Sequence, residues 1–83
     1  MSIVINGYTL EPYADLTNAD LGGADLSNAD LTGINFTGAS LSNAKFNSAN
    51  LTGVNFDGAY MANTDLTDAN LIGARLTNVY EYS

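Results

Sequence analysis

From Leu16 to Leu76 every fifth residue is Leu, Phe or Met, and two positions ahead of each stands a small residue, usually Ala. Ile34, Val54 and Thr64 are the exceptions to Ala in that series, which runs from Ala14 to Ala74. Thirteen five-residue units thus follow one another without a gap in a chain of 83 residues. A period of five rules out the ordinary elements. On an α-helix, at about 100° per residue, the repeated apolar position advances by about 140° each time and no buried stripe forms. On a continuous strand side chains alternate faces, and because five is odd, successive Leu residues would point to opposite sides.

Inside one unit the spacing does suit a strand. Ala and Leu two apart share a face, and the Asp, Asn or Ser between them points the other way. The chain must therefore run extended for about three residues, turn, and start again with the same face inward. The two residues after each Leu supply the turn: Thr17-Asn18, Gly22-Gly23, Ser27-Asn28, Thr32-Gly33 and onward. Gly, Asn, Asp and Ser accept a positive φ or hydrogen-bond the local backbone, so they favour corners. A chain that turns repeatedly with its apolar face inward is a β-solenoid, an all-β fold in which each coil covers the next.

Ala14-Asp15-Leu16-Thr17-Asn18, Ala24-Asp25-Leu26-Ser27-Asn28 and Ala49-Asn50-Leu51-Thr52-Gly53 resemble the A(D/N)LXX unit of the pentapeptide-repeat proteins. The resemblance implies a right-handed, quadrilateral β-helix with four units per coil, about three to four coils in all. On that geometry residues twenty apart stack in columns about 4.8 Å apart. The inward columns read Leu16/Phe36/Phe56/Leu76, Leu21/Leu41/Met61, Leu26/Phe46/Leu66 and Leu31/Leu51/Leu71. Among the outward ones, Asp25, Lys45 and Asp65 alternate in charge, Arg75 stands over Asn55, Asn35 and Asp15, and Tyr80 stacks on Tyr60.

Three segments are expected. Residues 1–13 form an N-terminal cap in strand form, 14–78 the repeat, and 79–83 an end segment. Ile3-Val4-Ile5 and Tyr8-Thr9-Leu10 keep the five-residue step, but the next pair, Ala14 and Leu16, lies six on, so Glu11-Pro12-Tyr13 carries a one-residue insertion. Pro12, with no N–H, is expected to block further pairing there. Asn6-Gly7 between the two apolar triplets is also a type I′ hairpin signal, a competing geometry for the cap. At the other end Val79 keeps the phase, Glu81 takes the Leu position, and five residues are too few for the capping helix that many family members carry.

Composition narrows the function. There is no His and no Cys, which removes the usual general base, the thiol nucleophile and the soft metal ligands. Asp residues five apart fall on different faces and cannot converge on a Ca²⁺, which needs about 6–8 oxygens. Gly22-Gly23-Ala24-Asp25-Leu26 only faintly echoes a calcium-binding repeat. No catalytic residue, cofactor or metal site is expected, and the chain reads as a non-enzyme. A net charge of −7 with only Lys45 and Arg75 basic argues against direct binding to nucleic acid or to an anionic membrane. The N-terminus has neither the basic start nor the apolar run of a signal peptide, so a cytoplasmic location is the expectation.

The expected role is a rigid acidic module that binds another protein, of unknown identity. Candidate contacts are Tyr60, Tyr80 and Tyr82, with Leu76 and Val79 at a C-terminal end that could pair two copies into a homodimer. Asp15, Asp20, Asp25 and Asp30, one on each face of the first coil, form a candidate acidic docking ring, with solubility and edge protection as its plainer use. The resemblance also raises DNA mimicry, since some pentapeptide-repeat proteins bind type II topoisomerases such as DNA gyrase. Thirteen units make only about 16 Å of rod at about 4.8 Å per coil, equal to about five base pairs. A third alternative is ice binding through the Thr columns at Thr17/Thr37/Thr77 and Thr32/Thr52, but Asp57 interrupts the first and Ile72 ends the second.

Overall fold

A computed structural model describes residues 3–80. The corners come first, because they set everything else. In each unit the carbonyl of the Leu-position residue accepts the N–H three residues on, as in Ala19 N to Leu16 O (3.0 Å) and Ala44 N to Leu41 O (3.0 Å). The residue before that donor has a positive φ, for example Asn18 (63°), Gly33 (70°) and Ser48 (59°), while the one before it does not. That combination defines a type II turn, which explains the run of Gly and Asn at the fifth place of the unit. Gly33 has a further reason to be glycine: a β-carbon there would collide with the ring of Tyr13 on the preceding coil.

Between corners each face contributes one bridged residue. All the isolated bridges are parallel and join residues twenty apart: Asp15↔Asn35↔Asn55↔Arg75, Asp20↔Ser40↔Tyr60↔Tyr80, Asp25↔Lys45↔Asp65 and Asp30↔Asn50↔Asn70. Four columns in that register make a four-sided coil, as the resemblance implies. Backbone bonds run from coil to coil on every side and also at the corners, as in Leu31 N to Asn50 O (2.9 Å), Asn50 N to Ala29 O (2.9 Å) and Gly33 N to Thr52 O (2.8 Å). No helix occurs among the described residues.

The lumen holds the Leu-position side chains and the small residues ahead of them. Leu21, Leu26, Leu31, Phe36, Leu41, Phe46, Leu51 and Phe56 are fully buried. Phe36 and Phe56 stack along the axis (5.7 Å between centroids, 16° between planes). Phe46 comes from the opposite face and meets both edge-on, at 6.1 and 5.9 Å. The mixture of stacked and edge-to-face contacts suits the ring quadrupole. Thr64, a polar residue at an Ala position, donates its hydroxyl to Leu41 O (2.8 Å), so it brings no unsatisfied group inside.

The N-terminal segment follows the hairpin alternative. β1 (Ile3–Ile5) and β2 (Tyr8–Leu10) pair antiparallel, with Ile5 opposite Tyr8, across a two-residue turn at Asn6 (φ 53°) and Gly7 (φ 81°). Positive φ at both central residues makes it type I′, which the local Asn-Gly favours over a fifth-residue phase. Ile3, Ile5, Tyr8 and Leu10 pack against the first coil, with Leu10 buried. The expected edge block at Pro12 is corrected. Glu11-Pro12-Tyr13-Ala14 is itself a corner, closed by Ala14 N to Glu11 O (3.1 Å) with Tyr13 at φ 68°. Pro12 occupies the turn's second position, where its fixed φ is favoured, and Tyr13 N donates to Thr32 O (2.9 Å), so pairing continues past it.

Candidate functional site

On the outward side the bridged residue and the corner after it act together. Asp15 Oδ1 accepts the backbone N–H (3.2 Å) and the hydroxyl (2.6 Å) of Thr17. Asp25 does the same with Ser27, and Asp30 with Thr32. Asn35 and Asn50 repeat the arrangement through an amide oxygen, with Thr37 and Thr52. These are local side-chain-to-backbone bonds of the Asx-turn kind, which hold the chain at the entrance to the turn. Asp20 makes the weakest version, a single 3.4 Å contact with Gly22 N, because Gly22 has no hydroxyl to give.

The four carboxylates of the proposed acidic ring therefore sit on four separate faces, and at least three of them brace corners. The titration of Asp15, Asp25 and Asp30 reflects it. The Thr17 hydroxyl, followed by its backbone N–H, lowers the pKa of Asp15; Ser27 does so for Asp25 and Thr32 for Asp30. Asp65 is lowered furthest, to about 2, chiefly by the Thr67 hydroxyl and then by the Asn47 side chain, with Lys45 the smallest contributor. The column Asp25/Lys45/Asp65 is thus mainly a hydrogen-bonded structure, and its alternating charge is secondary.

A carboxylate whose pKa falls on folding stabilises the native state above its unfolded value, about 3.9, and that contribution is lost as pH drops through the folded value. The urea midpoint should therefore hold steady above pH about 5 and decline between about 4 and 2. Replacing Asp15, Asp20, Asp25 and Asp30 together with Asn should keep the β circular-dichroism spectrum, since Asn35 and Asn50 already serve in this position. It should also make the acid decline shallower. Loss of the folded spectrum, or an unchanged acid profile, would contradict the corner role.

The hydroxyls of Thr17, Thr32, Thr37, Thr52 and Thr67 are engaged by their own corners at 2.5–2.6 Å. That Asp/Asn-x-Thr/Ser pairing is visible in the sequence at 15/17, 25/27, 30/32, 35/37, 50/52 and 65/67. Asp57, which interrupts the Thr17/Thr37/Thr77 column, ties two coils together: its Oδ2 meets Arg75 Nη2 at 2.6 Å and its Oδ1 accepts Thr77 N at 3.1 Å. The Arg75 side chain thus reaches sideways to the corner.

Tyr60 and Tyr80 lie where the twenty-residue step places them, with centroids 4.9 Å apart and planes 16° from parallel. Both are about half exposed, at 44% and 47%. They cap a column that begins with Asp20 and Ser40, so aromatic surface replaces polar surface toward the C-terminal end. Leu76 (41% exposed) and Val79 line an open hollow with Met61, Thr64 and Leu66. The candidate contacts therefore divide into a tyrosine stack on one outer face and an apolar hollow at the end of the lumen. Tyr82 lies outside the described residues.

Among the described residues no group of three His, Cys, Asp or Glu side chains could hold a metal ion, and no helix is long and apolar enough to cross a membrane. No functionally curated protein matches the sequence. Among solved structures, Rfr23, a pentapeptide repeat protein from the cyanobacterium Cyanothece 51142, is 36% identical with a TM-score of 0.78 over 83% of this chain and 48% of its own. HetL, a pentapeptide repeat protein involved in heterocyst differentiation regulation from Nostoc sp. strain PCC 7120, is 33% identical with a TM-score of 0.58 over 82% of this chain and 34% of its own. The chain spans about half the length of the first and about a third of the second. The family profile described as "Pentapeptide repeats (8 copies)" matches residues 14–53 and 44–80. With that match across nearly all of the coil, the chain belongs to the pentapeptide-repeat family, and its fold is the family's right-handed quadrilateral β-helix.

Proposed function

We propose that this chain works without catalysis, as a rigid acidic scaffold that binds another protein through the Tyr60–Tyr80 face. The observation that carries the reading is the tyrosine stack itself. Two rings held in register by parallel bridges at Tyr60 and Tyr80 form a preordered aromatic surface on an otherwise polar wall. Tyr is enriched at protein interfaces, and a pre-positioned ring loses little freedom when it is covered. The fixed coil supports the same reading, because its side chains need no rearrangement to present that surface. HetL takes part in regulation, a role that a contact-making scaffold can fill.

The apolar hollow supports a second reading, in which two copies meet through the C-terminal end. Leu76 is exposed there, at 41%, beside Val79. A head-to-head contact closes, whereas head-to-tail stacking would propagate as a fibre. One experiment separates the two. A photocrosslinking residue is placed at Tyr60, at Leu76 or, as a control on another face, at Asn50. In purified protein a chain-to-chain adduct from position 76 but not from 50 supports the end-to-end pair. In host extract an adduct with a different protein from position 60, absent at 50, supports the tyrosine face. Equal labelling from 60 and 50 would overturn the proposed contact surface.

A further inference from the structure

We infer that Asn6 is a site of spontaneous covalent modification, where deamidation followed by hydrolysis loosens the tip of the N-terminal hairpin on the first coil. The chain has eleven Asn residues, and only Asn6 is followed by Gly. Deamidation begins when the backbone nitrogen of the next residue attacks the Asn side-chain carbon, so two conditions matter: a small following residue and a backbone N–H that is not already engaged. In the coil the second condition fails repeatedly. The N–H after Asn18, Asn28, Asn43 and Asn63 closes a corner, on Leu16, Leu26, Leu41 and Met61 respectively. The N–H after Asn35, Asn47, Asn50 and Asn55 pairs with the next coil. Asn70 and Asn78 are followed by the branched side chains of Leu71 and Val79.

The hairpin tip meets both conditions. Asn6 and Gly7 are exposed, and nothing lies within 4 Å of where a Gly7 β-carbon would project. In a two-residue loop the ladder closes on Ile5 and Tyr8, which leaves the Gly7 N–H outside it. Asp57-Gly58, the acid counterpart of this dipeptide, lacks that freedom, because Gly58 N donates to Thr77 O at 3.0 Å.

The chemistry balances with water alone. The Gly7 nitrogen forms a bond to Asn6 Cγ, ammonia leaves, and a five-membered imide results. Water then opens the imide at one carbonyl or the other, giving Asp or isoaspartate at position 6. The consequence is structural, because the amide lost is the hairpin's tether. Asn6 Nδ2 donates to the carbonyl of Asp20 at 3.1 Å, joining the tip to the first coil fourteen residues away. A carboxylate in its place has no hydrogen to donate and faces a carbonyl oxygen, so an attraction becomes a repulsion.

The test ages the purified chain at mildly alkaline pH and maps the products by peptide mass and by enzymatic methyl labelling of isoaspartate. Label should accumulate at residue 6 ahead of the other ten Asn positions. Asn6→Gly, which keeps a residue suited to positive φ, should abolish it. Asn6→Asp supplies a uniform product, and amide hydrogen exchange should rise about tenfold at Tyr8 and Leu10, the scale of one hydrogen bond lost from a local opening, with Leu31 and Asn50 unchanged. First labelling at a coil Asn would overturn the site, and unchanged hairpin exchange in Asn6→Asp would overturn the tether.

Discussion

Leu51→Asp should abolish the folded state. Leu51 is fully buried in the lumen, in column with Leu31 and Leu71, and no buried polar or charged residue lies among the described ones. An aspartate there loses the burial of an aliphatic side chain, about 2 kcal/mol, and introduces a carboxyl group with no hydrogen-bond partner, several kcal/mol more. A chain of this size has about 4–12 kcal/mol of total stability, so the two terms together consume most or all of it. The outward Asp30→Asn differs completely. Its amide oxygen can accept from Thr32 as Asn50 accepts from Thr52, so the urea midpoint should barely move. Circular dichroism and urea unfolding of the two variants check this directly. Equal stability for both would mean that the inward and outward assignments are wrong.

Much of this fold is legible in the sequence because its rules are local. The size alternation of Ala and Leu declares which side faces the lumen, and the Gly or Asn of each unit declares the corner. Column membership needed one further number, the units per coil, which the family resemblance supplied; Phe36 on Phe56 and Tyr60 on Tyr80 then follow. Phe46 meeting both rings depends on the width of the lumen, a three-dimensional quantity that no spacing contains. The hairpin was a contest between two local signals, a continued five-residue step and Asn6-Gly7, and turn chemistry prevailed. Pro12 was misread for a related reason: the absence of a donor suggested an edge, whereas its fixed φ serves a type II corner.

The outward acids carry two readings. Read as charge, Asp15, Asp20, Asp25 and Asp30 suggest a ring for docking. Read with the residue two ahead, at least three of them are hydrogen-bond acceptors for their own corners. The same carboxylate can be both solvated and structural, and composition alone does not distinguish the roles. The candidate contact residues follow a similar division: Tyr60 and Tyr80 meet, while Leu76 and Val79 belong to a separate hollow.

Twenty residues make a turn of the coil and stack outward residues into columns, and every column contact described above depends on that register. Because the chain has no Cys, paired cysteines can read that register without interference. Bridged neighbours in parallel strands lie about 4.8 Å apart, within the Cα separation of about 4.4–6.8 Å that a disulfide spans. Asn50→Cys/Asn70→Cys, twenty apart and directly bridged, should close a disulfide under mild oxidation. Asn55→Cys/Asn70→Cys, fifteen apart, and Lys45→Cys/Asn70→Cys, twenty-five apart, place the second thiol on a neighbouring face and should remain reduced. Free thiols in the first pair, or a disulfide formed as readily by either of the others, would contradict the four-sided coil and every column built on it.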